Sequence, residues 1–199
     1  MKTLLSLSRR IDALNARIGQ IVLWLILLCT LISAVNATVR KAFNTSSNAY
    51  LEIQWYLFAA VFLLGAGYTF LKDEHVRIDA LSQRFSRPTQ IKIDIAGIVV
   101  FLLPLCAWVV VQSWPLVANA YTGGEVSTNA GGLIRWPVYA LIPAGFFLLA
   151  LQSLSELVKR VAFLTGHGPD PAIAIREKKA EEKLLEELRA RQAKTETQP

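Results

Sequence analysis

The sequence predicts an all-α integral membrane protein: four transmembrane helices, accompanied by in-plane amphipathic helices and a charged cytoplasmic C-terminal helix. The first observation behind this is a set of four mostly apolar runs, at 18–39, 50–71, 95–111 and 137–155. A hydrocarbon core of about 30 Å takes about 20 residues of helix, and the first run supplies them without a charged side chain. The second is composition. At 53% hydrophobic and 18% charged over 199 residues, with a mean hydropathy of +0.39, the chain suits neither disorder nor an ordinary soluble domain. The third is the placing of basic residues. Lys2, Arg9, Arg10 and Arg17 precede the first run, Lys72, Arg77, Arg84, Arg87 and Lys92 separate the second from the third, and Lys159, Arg160 and a mixed-charge tail follow the fourth. Only Arg40, Lys41 and Arg135 fall on the other side. The positive-inside rule then puts both termini in the cytoplasm, as an even number of spans requires. The net charge of +6 thus reports orientation in a bilayer, and nucleic acid is not an expected partner.

Three regions follow: an amphipathic interfacial helix over 1–17, a four-span membrane domain over 18–160, and a cytoplasmic linker with a charged helical tail over 161–199. In the first, Leu4, Leu7, Ile11, Leu14 and Ile18 recur at helical spacing, while Lys2, Ser6, Arg9, Arg10 and Arg17 project from the opposite face. Such a segment is expected to lie in the cytoplasmic interface with its arginines near anionic headgroups, as an anchor for span one or as a partner-binding element. The first apolar run is too long for a signal-peptide core and no A-x-A-like site closes it, so cleavage is not expected. Cys29 and Cys106 both fall inside spans, where a lone cysteine behaves as a small buried hydrophobe, and no disulfide or metal site is implied.

In span two, Glu52, Trp55, Ala59, Leu63 and Ala66 lie near one helical face with Gly67 beside it. Small residues let another helix approach, so this face is expected against protein. Glu52 sits in the first turn, where a carboxylate is favoured and can still reach water. Trp55 and Tyr56 suit either helix contact or the interfacial aromatic belt. A charged turn follows, and Ile78, Leu81 and Phe85 share one face of a second in-plane helix, 78–85, which Pro88 ends before Thr89 opens span three. His75 within that turn is a pH-sensitive group or a solvated loop histidine. Pro104 and Pro143 are candidate kinks.

The longest non-cytoplasmic loop, 121–136, has mobile glycines and carries Glu125, Arg135 and Trp136, either for contact with another protein or as a plain surface connection. Gln152 and Glu156 are expected to reach the cytoplasmic interface. After a Gly166-His167-Gly168-Pro169-Asp170-Pro171 linker, the tail from 172 to 193 is helical by propensity, with Ala180, Leu184 and Leu188 as a narrow apolar strip. No cofactor is expected. The two histidines, His75 and His167, lie outside the spans, so haem ligands at membrane depth are missing. Exposed cysteine pairs, a phosphate-cradling loop, an H-E-x-x-H site and a nucleophile elbow are missing as well. All four mid-spans are uncharged, unlike those of an independent ion-coupled transporter. The sequence reads as a structural subunit and not as an enzyme.

Three stretches in order carry a family resemblance: Glu52-Ile53-Gln54-Trp55, Phe62-Leu63-Leu64-Gly65-Ala66-Gly67 and His75-Val76-Arg77-Ile78-Asp79. Together they resemble the DctQ-type small membrane subunit of tripartite ATP-independent periplasmic (TRAP) transporters, over about residues 18–160. The loop around Glu125 and Arg135 also resembles a branch labelled for mannitol or chloroaromatic compounds. The resemblance implies a scaffold that pairs with a large permease subunit holding the substrate and sodium sites, while a periplasmic substrate-binding protein delivers an organic solute, expected to be an organic acid. Implied partner-binding residues are Glu52, Trp55, Ala59, Leu63, Ala66 and Gly67 on span two, His75, Arg77 and Asp79 in the cytoplasmic turn, and Glu125, Arg135 and Trp136 in the loop. The bacterial inner membrane is the implied location. A self-sufficient homo-oligomeric transporter and a membrane anchor of an unrelated complex are the rival readings.

Overall fold

The computed structural model describes residues 1–43, 48–73, 85–129 and 132–171, together with Ile173, Ala180, Leu184 and Leu188. Four helices are long and apolar enough to cross a membrane: α1 (Lys2–Phe43), α2 (Asn48–Leu71), α3 (Arg87–Thr122) and α4 (Trp136–Leu164). The four expected spans each lie within one of them. The described residues form no strand, and one isolated antiparallel bridge joins Val126 to Ile134.

The expectation of a separate helix over 1–17 is corrected, because α1 runs unbroken through 42 residues. At 1.5 Å per residue that is about 63 Å. Nothing local stops it, since no proline occurs before residue 88. The surface facing the protein is the polar one: Ser8 and Asn15 are buried, while Leu4, Leu7 and Leu14 stay exposed. Span three is likewise longer than its apolar run. Ser86 precedes the first turn and Pro88 sits inside it, where a missing amide does no harm. Pro104 removes the amide that would bond the Val100 carbonyl, and the helix widens into a π turn over Ile98–Leu102 just before it.

Helix α4 is the hub: it packs on α1, α2 and α3, and α1 packs on α2. Close approach is built from glycine. A methyl group at Gly145 of α4 would lie 2.6 Å from the Leu63 carbonyl oxygen of α2. Gly67 of α2 leaves the space that the Asn15 side chain of α1 fills. Cys106 is buried, as expected, and Cys29 is half-buried. The outward faces are apolar, including Trp24, Phe58, Phe62, Phe101 and Trp108.

Gly166, at φ 71°, ends α4: its amide reaches the Phe163 carbonyl and the His167 amide the Ala162 carbonyl, the pattern of a left-handed helix stop. The linker then doubles back. Arg87 grips Asp170 through Nε at 2.6 Å and Nη2 at 2.7 Å, a bidentate fork that ties the start of the tail to the start of α3. Of the tail strip, Ala180, Leu184 and Leu188 are helical and exposed. The expected in-plane helix over 78–85 lies, apart from exposed Phe85, outside the described residues.

Replacing Gly145 with Ala should destabilise the bundle by about 1–3 kcal/mol, because the Leu63 backbone cannot move aside. Thermal unfolding in detergent reads this against Gly97→Ala, where an added methyl meets nothing within 4 Å. Equal midpoints for the two variants would contradict the proposed α2–α4 approach.

Candidate functional site

Polar chemistry gathers at the two ends of the bundle. At the end opposite the termini, the chain between α3 and α4 folds into a hairpin. The Ser127 amide bonds the Leu133 carbonyl at 2.9 Å and the Arg135 amide the Glu125 carbonyl at 3.0 Å. Gly132 is required inside it, since a side chain there would meet the Ser127 carbonyl. Tyr121 and Trp136 close its base edge to face, with ring centres 5.5 Å apart.

Glu52 sits beneath this hairpin, 3% exposed, so the expectation that its carboxylate reaches water is corrected. The Ser127 hydroxyl donates to Oε1, the Asn129 amide donates to Oε1 at 2.6 Å and the Leu133 backbone amide donates to Oε2 at 2.8 Å. Tyr56 adds a bond from its hydroxyl to the Ile134 carbonyl, 3.2 Å. The described residues of this loop are thus tied to α2. On its outer side Arg135 meets Glu125 at 3.3 Å, and the Tyr139 hydroxyl bonds both. The Tyr139 hydroxyl raises the Arg135 pKa above its ordinary value, with Glu125 adding to the effect.

The structure divides the expected span-two face. Glu52, Leu63 and Gly67 point into the bundle or its hairpin, whereas Trp55 is 66% exposed and continues outward as Phe58 and Phe62. Ala59 and Ala66 are half-buried at the boundary. His75, Arg77 and Asp79 lie outside the described residues.

The end that holds the termini contains residues that sequence reasoning missed. Asp12 accepts from Gln152 Nε2 at 2.9 Å and Ser155 Oγ at 2.7 Å, and pairs with Lys159 at 3.0 Å. Glu156 pairs with both Lys159 and Arg160, and Arg160 reaches Asp94 of α3 at 3.3 Å. Gln152 and Glu156 are thus buried within the bundle, covered by the polar stripe of α1. Bond directions are determined. Gln152 Nε2 faces carboxylates, which only accept, so its oxygen must take a hydrogen from Asn15 Nδ2, 3.0 Å away. That leaves Asn15 Oδ1 buried without a hydrogen-bond partner, set over Gly67. The signal was present as Ser8, Asp12 and Asn15 at four- and three-residue spacing, matched by Gln152, Ser155 and Lys159 on α4.

Among the described residues no group of three or more His, Cys, Asp or Glu side chains could hold a metal ion. The family described as tripartite ATP-independent periplasmic transporters, DctQ component, matches residues 26–163. That range includes Glu52, the hairpin and the α4 cluster, and leaves Asp12 and Asn15 outside. No curated protein and no solved structure matches the chain.

Removing Glu156 would leave the buried Arg160 guanidinium without its nearest counter-charge. Glu156→Ala is therefore expected to lose about 3 kcal/mol, while Glu125→Ala, on an exposed pair, loses about 1 kcal/mol or less. Comparable shifts in unfolding midpoint for both would argue against the buried network as a stabilising element.

Proposed function

The chain belongs to the DctQ component family of tripartite ATP-independent periplasmic transporters, and from that premise we propose that it is a non-catalytic scaffold for a larger permease subunit. It is a multi-pass membrane protein and a small membrane subunit of such a transporter, in a family of transporter subunits and not of enzymes. In the proposed assembly the large subunit carries substrate and coupling ions. A periplasmic substrate-binding protein delivers an organic solute, an organic acid, for sodium-coupled uptake across the bacterial inner membrane. The termini end faces the cytoplasm and the hairpin end the periplasm, by the distribution of basic residues.

One observation carries the scaffold reading: the buried charges at the two ends are spent on contacts within the chain. Glu52 is held by the hairpin, and Glu156 and Arg160 hold each other. The helix stretches between these ends are uncharged and their outward faces apolar. Such a bundle offers surface to lipid and to other helices and no charged path through its own middle. The exposed Trp55, Phe58 and Phe62 row of α2 and the hairpin's outer residues Glu125, Arg135 and Trp136 are the proposed contact regions, for the large subunit and the substrate-binding protein respectively.

Purification of the chain from its native membrane in mild detergent should recover one large multispan protein near one-to-one. Recovery of this chain alone as a defined oligomer, with ion-driven uptake by it in vesicles, would replace the scaffold by a self-sufficient transporter. Ala59→Leu and Ala66→Leu should each lower the amount of large subunit recovered, by blocking close approach beside Trp55. Undiminished recovery in both variants would remove that face from the interface.

A further inference from the structure

We infer that Glu52 acts as a positioning residue: its buried carboxylate holds the two arms of the hairpin, 125–129 and 132–135, in the shape that a soluble protein partner reads. This rests on the reading of the hairpin as the docking surface for the substrate-binding protein. Three features of the contact lead to it. Among the described residues the three donors to the carboxylate are Ser127, Asn129 and Leu133, far away in sequence, and none is one of α2's own first-turn amides. The carboxylate therefore serves the hairpin and not its own helix. Its partners are a hydroxyl, a side-chain amide and a backbone amide, all neutral, while the nearby guanidinium of Arg135 bonds Glu125 and Tyr139. Among the described residues no cation bonds Glu52, and the Leu133 amide donates to its Oε2. Finally, Glu52 is nearly inaccessible, so a partner cannot touch it and meets instead what it positions: Glu125, Arg135 and Trp136.

The clamp is local. The α2–α4 contact at Leu63 and the α1–α2 contact at Gly67 lie 11 and 15 positions further along α2, about 16 Å and 22 Å away at 1.5 Å per residue. Glu52→Gln replaces one acceptor oxygen by an amide that can only donate, so hairpin donors are left facing a donor. The bundle contacts remain.

The test uses the full chain with its large subunit in nanodiscs. Amide hydrogen exchange at Leu133 should be roughly tenfold faster in Glu52→Gln, the factor that corresponds to losing one buried hydrogen bond to a charge, while exchange along α4 stays at the parental rate. The transporter's purified substrate-binding protein, without added solute, should bind the variant several-fold more weakly. Ser127→Ala and Asn129→Ala remove the same bonds from the other side and should act alike. Their combination with Glu52→Gln should fall short of the summed effects, as expected for groups in one network. They also stand in if Glu52→Gln does not fold. Parental exchange at Leu133 in all these variants would overturn the clamp. Faster exchange with unchanged binding would overturn the positioning role. In that case Trp136→Ala with Arg135→Glu separates the two ideas: weakened binding there keeps the hairpin as docking surface, and unchanged binding removes that reading too.

Discussion

Helices in a bilayer gain little by hiding apolar side chains from lipid tails that are equally apolar, so this fold depends on the polar seam between α1 and α4. Along it Ser8, Asp12 and Asn15 meet Ser155, Gln152 and Lys159 through direct hydrogen bonds and an ion pair. Each bond has a partner that must be at one height, so sliding α1 by a turn would strand several buried polar groups at once. The seam thereby sets the register of a helix whose apolar residues alone would accept many. Glycine adds a second constraint. Gly67 brings α2 onto Asn15, and Gly145 brings α4 onto Leu63, so α2 is located against both of its neighbours by backbone approach.

The two ends of the bundle solve the burial of charge differently. At the termini end carboxylates alternate with cations, Asp12 with Lys159, Glu156 with Lys159 and Arg160, and Arg160 with Asp94. Three helices are joined through one alternating chain. At the hairpin end a single carboxylate is surrounded by neutral donors from one short segment. A charge-to-charge chain resists separation of helices, and a carboxylate cradled by a loop imposes shape on that loop. The first arrangement suits the frame of a scaffold. The second suits a surface that must be presented in one conformation.

The family is one of transporter subunits and not of enzymes, and the proposed scaffold role is in keeping with it. Neither the seam nor the clamp resembles a substrate or ion path: the charges of the seam pair with one another, and the clamp lies at the rim of the bundle. In the proposed assembly what the chain offers to others is external, in the aromatic row of α2 and the outer face of the hairpin. The 26–163 match omits the first half of α1, yet that half supplies Ser8, Asp12 and Asn15. The buried seam is therefore completed by residues outside the matched range.

Much of this was legible in the residues. Apolar runs about a bilayer in length specify helices and their number, because backbone groups in hydrocarbon must be satisfied within their own segment. The asymmetry of Lys and Arg proposes the orientation, and the order of motifs around Glu52, Gly67 and His75 carries the family. Glu52 and Gly67 were both singled out from spacing alone. Their partners were not. Glu52 read as a helix-start residue because Ser127, Asn129 and Leu133 lie some eighty positions away, and no local periodicity links them. Asp12 and Asn15 were missed, since polar residues at helical spacing look alike whether water or another polar stripe covers them. Gln152 and Glu156 were assigned to the interface for the same reason. The sequence by itself determined the four long apolar helices, because those follow from local hydrogen bonding and transfer of side chains to hydrocarbon. Only the tertiary structure decided what the polar groups at both ends are for, because a buried charge takes its meaning from partners that the chain brings near by folding.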